Sequence, residues 1–281
     1  MKAVVTRALG ACVVAAALAS CERYETLTVL PPGSLTTHYL IDFVYQNDST
    51  TRAATEGHLV VFNPSATTAD LDLTIYYEDR EPEHLKRQAR AGASTEEGFD
   101  GWPVKPGERF ALAVESSVPV VAQATLGWNN VGNDGAPSAR AVDGGRPRET
   151  VTSYLSLQTL ARRWYLADGI VIDSPKNLWI RESEWAVLLN PGNTTAQVDL
   201  GLFFKVFTRH HAVEVPPRRV RAVLMDDLVT LANKHYGVRI ASDVPIAAQW
   251  RRTVDWYDFP ELMGFWSVPC LPLAPTNDPI Q

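Results

Sequence analysis

The run Trp250-Arg251-Arg252 holds the residues of this sequence that are best suited to recognition chemistry. An indole ring offers a flat face for stacking, and guanidinium groups donate forked hydrogen bonds to carboxylates. Trp250, Arg251 and Arg252 are therefore candidate binding residues for a sugar or an acidic partner. The alternatives are a core position for Trp250, and an edge strand on which the two arginines prevent aggregation.

Two aspartates recur at the same place in a repeated pattern. Asp42 follows Tyr39-Leu40-Ile41, and Asp168 follows Tyr165-Leu166-Ala167. A carboxylate retained twice either lines the same kind of site in both places or accepts backbone hydrogen bonds at a strand end. Asp42 and Asp168 are candidate binding residues on the first interpretation.

The pairs that resemble metal ligands have simpler explanations. His210 and His211 are adjacent, so on a strand they point to opposite faces and do not share one ion. Asp226-Asp227 could bind a cation together with Asp243, but acidic residues are also typical of a helix start. No nucleophile elbow, zincin helix, phosphate loop or paired-cysteine site is present. We therefore expect no metal, no cofactor and no enzymatic activity, with a hydrolase built on scattered carboxylates as the remaining enzyme class.

The first 21 residues have the pattern of a lipoprotein export signal. Lys2 and Arg7 precede an apolar run from Ala8 to Ala19, and Leu18-Ala19-Ser20-Cys21 forms a lipobox. The run is shorter than the roughly 20 residues that cross a bilayer. We predict a signal peptide over residues 1–20 and lipid attachment at Cys21, with a plain signal peptide or an uncleaved anchor as alternatives.

The predicted cellular location follows from the residue after Cys21, and the net charge bears on the expected partners. Glu22 is not the aspartate that retains lipoproteins in some inner membranes, so we expect the periplasmic face of the outer membrane or the cell surface. Removal of residues 1–20 leaves 24 basic against 32 acidic residues, which does not favour nucleic-acid binding. The mature chain would then have two cysteines, Cys270 and the lipidated Cys21, so no internal disulfide is expected.

One unit of about 126 residues occurs twice. Asn63-Pro64 is matched by Asn190-Pro191, 127 residues later, and Gln123 by Gln249, 126 residues later. A period of this length is typical of a domain and too long for a solenoid repeat. The predicted organisation is a signal peptide (1–20), a tether (21–37), a first domain (38–130), a linker (131–150), a second domain (151–258) and a C-terminal tail (259–281).

The pattern inside each unit predicts strands. In residues 70–77 apolar side chains alternate with polar ones, and residues 197–204 keep that apolar face. A short helix is expected only at residues 226–234, and residues 151–160 fit either a strand or a helix. We therefore predict an all-β fold of two tandem antiparallel sandwiches, with one short helix in the second.

Several strings resemble the sensory rhodopsin transducer family. The first copy carries Leu73-Thr74-Ile75-Tyr76-Tyr77-Glu78-Asp79-Arg80-Glu81-Pro82, and the second carries Trp164 to Gly169, Met225 to Leu228 and Ser242 to Gln249 followed by Arg251. The resemblance implies small all-β sandwiches that assemble as homotetramers and work as soluble cytoplasmic partners of a membrane rhodopsin. This chain departs from the family in its export signal, in its fusion of two copies and in Lys205-Val206-Phe207, which replaces the charged turn.

The sequence as a whole favours a non-enzymatic, lipid-anchored envelope protein that acts in binding or assembly. Its expected partners are the membrane, through the lipid, a second copy of the chain, and a glycan or envelope protein. Pairing of two fused chains would rebuild a four-domain assembly like that of the family. The alternative function is a carbohydrate-binding or sensing module at the cell surface.

Overall fold

A computed structural model describes residues 37–45, 53–99, 101–105, 107–130, 149–170, 180–229, 234–256 and 264–272. These residues belong to one compact unit, Leu35–Gln281. The predicted signal peptide, the lipid-attachment residue Cys21 and almost all of the predicted tether and linker lie outside the described residues. Within the described part of the chain, no helix has the length and apolarity needed to cross a membrane.

The described residues form strands almost throughout. In the first part of the chain the strands are β1 (Thr37–Tyr45), β2 (Ala53–Asn63), β3 (Ala69–Tyr77), β4 (Glu83–Ala89), β5 (Ala93–Gly98), β6 (Glu108–Ser116), β7 (Val121–Asn130) and β8 (Glu149–Leu155). In the second part they are β9 (Ala161–Ile170), β10 (Ile180–Asn190), β11 (Ala196–Phe203), β12 (Thr208–Val215), β13 (Arg219–Leu224), β14 (His235–Trp256), β15 (Gly264–Pro269) and β16 (Leu271–Pro272). The all-β prediction is confirmed.

The first copy is a sandwich of two four-stranded antiparallel sheets, in the orders β1-β6-β3-β4 and β5-β2-β7-β8. The predicted alternation places Leu73 and Ile75 of β3 in the core, fully buried, while Asp70 faces solvent. Phe43 stacks on Phe110 with ring centroids 5.0 Å apart, which closes one end of the core. Each sheet thus buries one face against the other.

The second copy repeats this arrangement with one continuous strand where the first copy has two. The N-terminal half of β14 pairs with β9 and β11, and its C-terminal half pairs with β10 and β15. The strand passes from one sheet to the other around Asp243 and Pro245, where its pairing with β9 is irregular. In the first copy the corresponding strands β6 and β7 are separated by residues 117–120.

Three details of the predicted organisation differ in the structure. The undecided segment 151–160 begins as strand β8, which pairs with β7, so the predicted boundary at residue 151 falls inside a strand of the first copy. The predicted tail contributes β15, which pairs with β14. The short helix is a 3-10 turn, Met225–Asp227, and residues 230–233 of the prediction lie outside the described part. Cys270 is buried in the second copy, and burial raises the pKa of its thiol to about 12.

The repeated Asn-Pro turn depends on a buried amide in each copy. The side-chain nitrogen of Asn63 donates to the carbonyl oxygen of Thr67 at 2.8 Å, and that of Asn190 donates to Thr194 at 2.8 Å. A second bond from each amide, 3.0 Å long, reaches a carbonyl at the end of the neighbouring strand. The turn and the adjacent hairpin are therefore joined through one side chain.

We predict that Asn63→Ala and Asn190→Ala each lower the free energy of unfolding by about 2–4 kcal/mol, because each removes two buried hydrogen bonds and leaves their acceptors unpaired. Urea denaturation followed by circular dichroism measures the change. Asn193→Ala, at an exposed position of the turn that follows Asn190, is the control, and its free energy of unfolding should stay within about 0.5 kcal/mol of the parent value. Equal stability of Asn190→Ala and Asn193→Ala would contradict this account of the turn.

Candidate functional site

A buried carboxylate lies between the two copies. Asp42 on β1 is fully buried, and its Oδ1 accepts a hydrogen bond from Arg109 Nη1 at 3.0 Å. Arg251 Nη1, on β14 of the second copy, lies 3.4 Å from the same oxygen. Asp42 is therefore held by one arginine from each copy, and two of the predicted binding residues, Asp42 and Arg251, meet although 209 positions separate them.

Asp42 reaches this position because of a bulge in its strand. The pairing of β1 with β6 shifts between Ile41 and Phe43, so Asp42 is the extra residue. Its φ of +95° lies in the left-handed region, which aspartate tolerates better than most residues. The bulge turns the carboxylate towards the second copy.

The charges at this site are desolvated and closely packed. Burial lowers the pKa of Arg109, and the neighbouring Arg251 acts in the same direction, whereas Asp42 opposes both. The Arg109 guanidinium also lies 5.2 Å from the ring centroid of Trp185 in the second copy, a distance suited to a cation–π contact. The carboxylate thus compensates the positive charge of buried Arg251 and of largely desolvated Arg109.

A tyrosine hydroxyl extends the polar contact between the copies. Tyr154 on β8 donates to the carbonyl oxygen of Ile41 at 3.1 Å, next to Asp42. Its hydroxyl also meets the side chain of Gln249 from the second copy, and burial raises the pKa of Tyr154 well above its ordinary value. Gln249 of the second copy therefore bonds to β8 of the first copy.

An apolar layer surrounds these polar groups, and two ion pairs flank it. Its buried members come from both copies: Ile41, Tyr76, Ala111, Ala113, Val187, Leu189, Val220 and Ala247. At the rim, Arg221 lies 3.5 Å from Glu78, and Arg219 forms a second ion pair with Glu81. The charged turn after β3 therefore binds β13 of the other copy.

The second copy has its own version of the aspartate pair. Asp168 lies at the bulge of β9, and His235 Nδ1 is 2.6 Å from its Oδ1. The strand pairing makes His235 the equivalent of Arg109. Both Asp168 and His235 are well exposed. The equivalent ion pairs are therefore desolvated in the first copy and exposed to solvent in the second.

A second buried ionic cluster lies within the second copy. Glu184 is fully buried and accepts hydrogen bonds from Arg252 Nε at 2.8 Å, from the Tyr236 hydroxyl at 2.5 Å and from the Ile170 amide at 2.9 Å. Burial and the Glu184 carboxylate raise the pKa of Tyr236. Arg252 also donates to the backbone oxygen of Asp168 at 3.2 Å. Arg252 is thus a structural partner of Glu184.

The remaining candidate residues lie in the core, in paired strands or in ion pairs that belong to the fold. Trp250 is 2% exposed and belongs to the core of the second copy, so its ring offers no face for stacking. β14 pairs on both sides along Arg251 and Arg252, which excludes the edge-strand interpretation. His210 pairs with Asp199 at 2.9 Å, and Asp226 accepts from Ser183 at 2.7 Å. Among the described residues, no group of three His, Cys, Asp or Glu side chains is placed to hold a metal ion.

Sequence reasoning missed Arg109, Trp185 and Glu184. No local signal marks them, since Arg109 and Glu184 lie among other polar residues at the start of their strands and Trp185 begins the apolar run of β10. Their partners come from distant strands, so the sequence around them does not reveal the contacts.

The fold and this site define a duplicated antiparallel β-sandwich protein whose copies are joined by a buried interface. The family model described as Anabaena sensory rhodopsin transducer matches residues 37–129 and 160–257, more than half of the chain. The chain therefore belongs to that family, as a tandem duplication.

Solved structures give matches of low similarity. The crystal structure of Thermotoga maritima 1070 matches with 22% identity and a TM-score of 0.36, covering 40% of this chain and 95% of its own. The Anabaena sensory rhodopsin transducer matches with 23% identity and a TM-score of 0.28, covering 32% of this chain and 86% of its own. No curated protein matches the chain.

We predict that Asp42→Asn lowers the free energy of unfolding by about 3–5 kcal/mol, because it removes the buried carboxylate that both Arg109 and Arg251 contact. Asparagine also tolerates the left-handed backbone, so the bulge is retained. Chemical denaturation of the full chain measures the loss.

Asp168→Asn is the matched control, since it alters the equivalent but exposed pair. Its expected effect is at most about 1 kcal/mol. Similar losses for the two variants would show that burial between the copies does not set the importance of Asp42.

Proposed function

We propose that this chain is a non-enzymatic, lipid-anchored envelope protein that acts through protein assembly. The observation that carries the proposal is the interface between the copies, in which a buried ionic cluster around Asp42 lies within an apolar layer. These features are those of a stable protein–protein interface. A chain that joins two sandwiches in this way presents their outer surfaces as one body to further partners.

The proposed lipid anchor and cellular location are supported by residues 18–22 of the sequence. The lipobox at Leu18-Ala19-Ser20-Cys21 supports lipid attachment at Cys21, and Glu22 supports the outer membrane or the cell surface. The name of the family refers to a sensory rhodopsin, but an exported chain would be separated from a cytoplasmic signalling partner. We therefore do not propose a rhodopsin partner.

The carbohydrate-binding alternative rested on exposed aromatic rings, with Trp250 as the central one. In the structure Trp250 is 2% exposed, and Arg251 and Arg252 are bound to Asp42 and Glu184. The three residues do not form an open surface that a sugar ring could approach. Assembly is therefore the function that this geometry supports better.

We predict that Cys21→Ala moves the protein from the membrane fraction to the soluble fraction of the envelope, because the variant loses the thiol that would carry the lipid. Fractionation of cells, combined with metabolic labelling by a fatty acid, measures both attachment and location.

Cys12→Ala is the control, since Cys12 lies inside the predicted signal peptide and is not the predicted lipid-attachment residue, so anchoring and labelling should be unchanged. A Cys21→Ala protein that remained in the membrane fraction with its fatty-acid label would refute the anchor.

A further inference from the structure

We propose that the turn between β11 and β12 docks into the interfacial region of the membrane that carries the lipid anchor. The turn comprises residues 203–208 of the second copy, and we call it the apolar turn. The inference rests on the proposed lipid anchor and adds to it a direct contact between protein and bilayer. The partner is a bilayer surface that contains anionic lipid.

The apolar turn carries apolar side chains in solvent at its tip. Val206 is 83% exposed, more than any other large apolar side chain that the structure describes. Phe203, the last residue of β11, is 39% exposed. Lys205 lies between them in sequence and is also exposed. An apolar tip beside a lysine suits a membrane interface, where the apolar groups meet acyl chains and the ammonium group stays among the headgroups.

Contacts within the second copy hold the turn in this conformation. The Phe204 amide donates to the carbonyl oxygen of Phe207 at 2.9 Å, and the two phenyl rings stack with centroids 4.7 Å apart. The Phe204 ring also lies 5.4 Å from the ring of Tyr236, a core residue. The turn is therefore built on two aromatic rings that lead to the core. The fold itself keeps Val206 in solvent instead of letting it pack against other apolar residues.

The equivalent turn of the first copy has the opposite charge and a different role. It contains Glu78 and Glu81, which form ion pairs with Arg221 and Arg219 of β13. By the repeat of 127 residues, Lys205 stands at the position of Glu78. The apolar turn contains no acidic residue. One copy thus uses this turn for the internal contact, and the other copy presents an apolar and basic turn to solvent.

A second lysine lies at the same end of the sandwich. Gly237 of β14 pairs with Phe203, so the start of β14 lies beside the apolar turn. Lys234 immediately precedes β14 and is exposed. In the part of the chain that the structure describes, neither Lys205 nor Lys234 forms an ion pair. Because the predicted mature chain has 24 basic against 32 acidic residues, an anionic surface attracts this end more than the remainder.

Two acidic side chains border this end and do not cancel the lysines. Asp168, near the end of β9, is paired with His235 at 2.6 Å. Asp227 belongs to the 3-10 turn, in which Asp226 accepts a hydrogen bond from the Glu184 amide. Asp227 is therefore one exposed carboxylate against two lysines.

The size and shape of the apolar turn favour a bilayer over a protein partner. A single projecting turn buries little area, whereas stable protein complexes bury on the order of 1,200–2,000 Å² in total. A bilayer needs no complementary pocket and accepts a small apolar tip. Such a tip binds a membrane weakly when the chain is free. A lipid anchor raises the effective concentration of the turn at the surface, so we expect docking on a tethered chain.

The test measures the depth of residue 206 in the bilayer. The chain from residue 21 onwards, with Cys21→Ala, is held by an N-terminal histidine tag on vesicles of phosphatidylethanolamine, phosphatidylglycerol and a nickel-chelating lipid. Val206→Cys carries a fluorophore, and Cys270 stays unlabelled because it is buried. Quenchers attached to the acyl chains should reduce its fluorescence at least about threefold more strongly than that of the control.

Asp79→Cys with the same fluorophore is the matched control, since Asp79 is exposed in the equivalent turn of the first copy. Equal and strong quenching at both positions would show that the fluorophore partitions by itself, and would overturn the proposal. Equal and weak quenching would also overturn it and would leave the apolar turn as a surface for a protein partner.

Lys205→Glu, combined with the label at residue 206, tests the choice of an anionic surface. Charge reversal should lower the quenching at least about twofold, and replacement of phosphatidylglycerol by phosphatidylcholine should act in the same direction. Lys205 is exposed, so the circular dichroism spectrum should be that of the parent. Quenching that neither change affects would overturn the choice of anionic lipid.

The histidine tag separates this test from that of the anchor, because docking is measured whether or not Cys21 carries a lipid. Absence of fatty-acid labelling at Cys21 in cells would refute the anchor alone. A tethered chain whose residue 206 stays in water would refute the docking alone.

Discussion

The buried carboxylate of Asp42 is the constraint on which the arrangement of the two copies depends. Apolar surfaces attract each other with little directional preference, so the layer around Ile41 and Val187 favours contact but permits sliding. A buried carboxylate with arginines on two sides is different, because displacement leaves desolvated charges unpaired. We therefore infer that Asp42 restricts the two copies to one register.

The two copies fill the equivalent part of their cores with different side chains. In the first copy, Phe43 and Phe110 stack inside an apolar core. In the second, Gly169 occupies the place of Phe43, and a Cβ there would lie 2.6 Å from the ring of Tyr236. The missing side chain gives that ring the room from which its hydroxyl reaches Glu184. An apolar contact has thus been replaced by a hydrogen-bonded network with all its main partners in the same copy.

The sequence predicted those features that depend on local pattern or on the repeat itself. Alternation in β3 identified a half-buried strand, and the spacing of Asn63 and Asn190 revealed the duplication. It did not reveal that β8 completes a sheet of the first copy, because strand pairing across residues 131–148 leaves no local signal. Trp250 illustrates the same limit, since an indole beside two arginines looks the same in sequence whether it lies in a core or on a surface.

Fusion of the copies explains why their outer faces have diverged. A covalent link makes the contact between them intramolecular, with a high effective concentration, so the buried faces keep small apolar residues such as Ala113 and a permanent cation at Arg109. The equivalent positions on the second copy carry Arg239 and His235, whose charged or titratable side chains suit a face that is in contact with solvent.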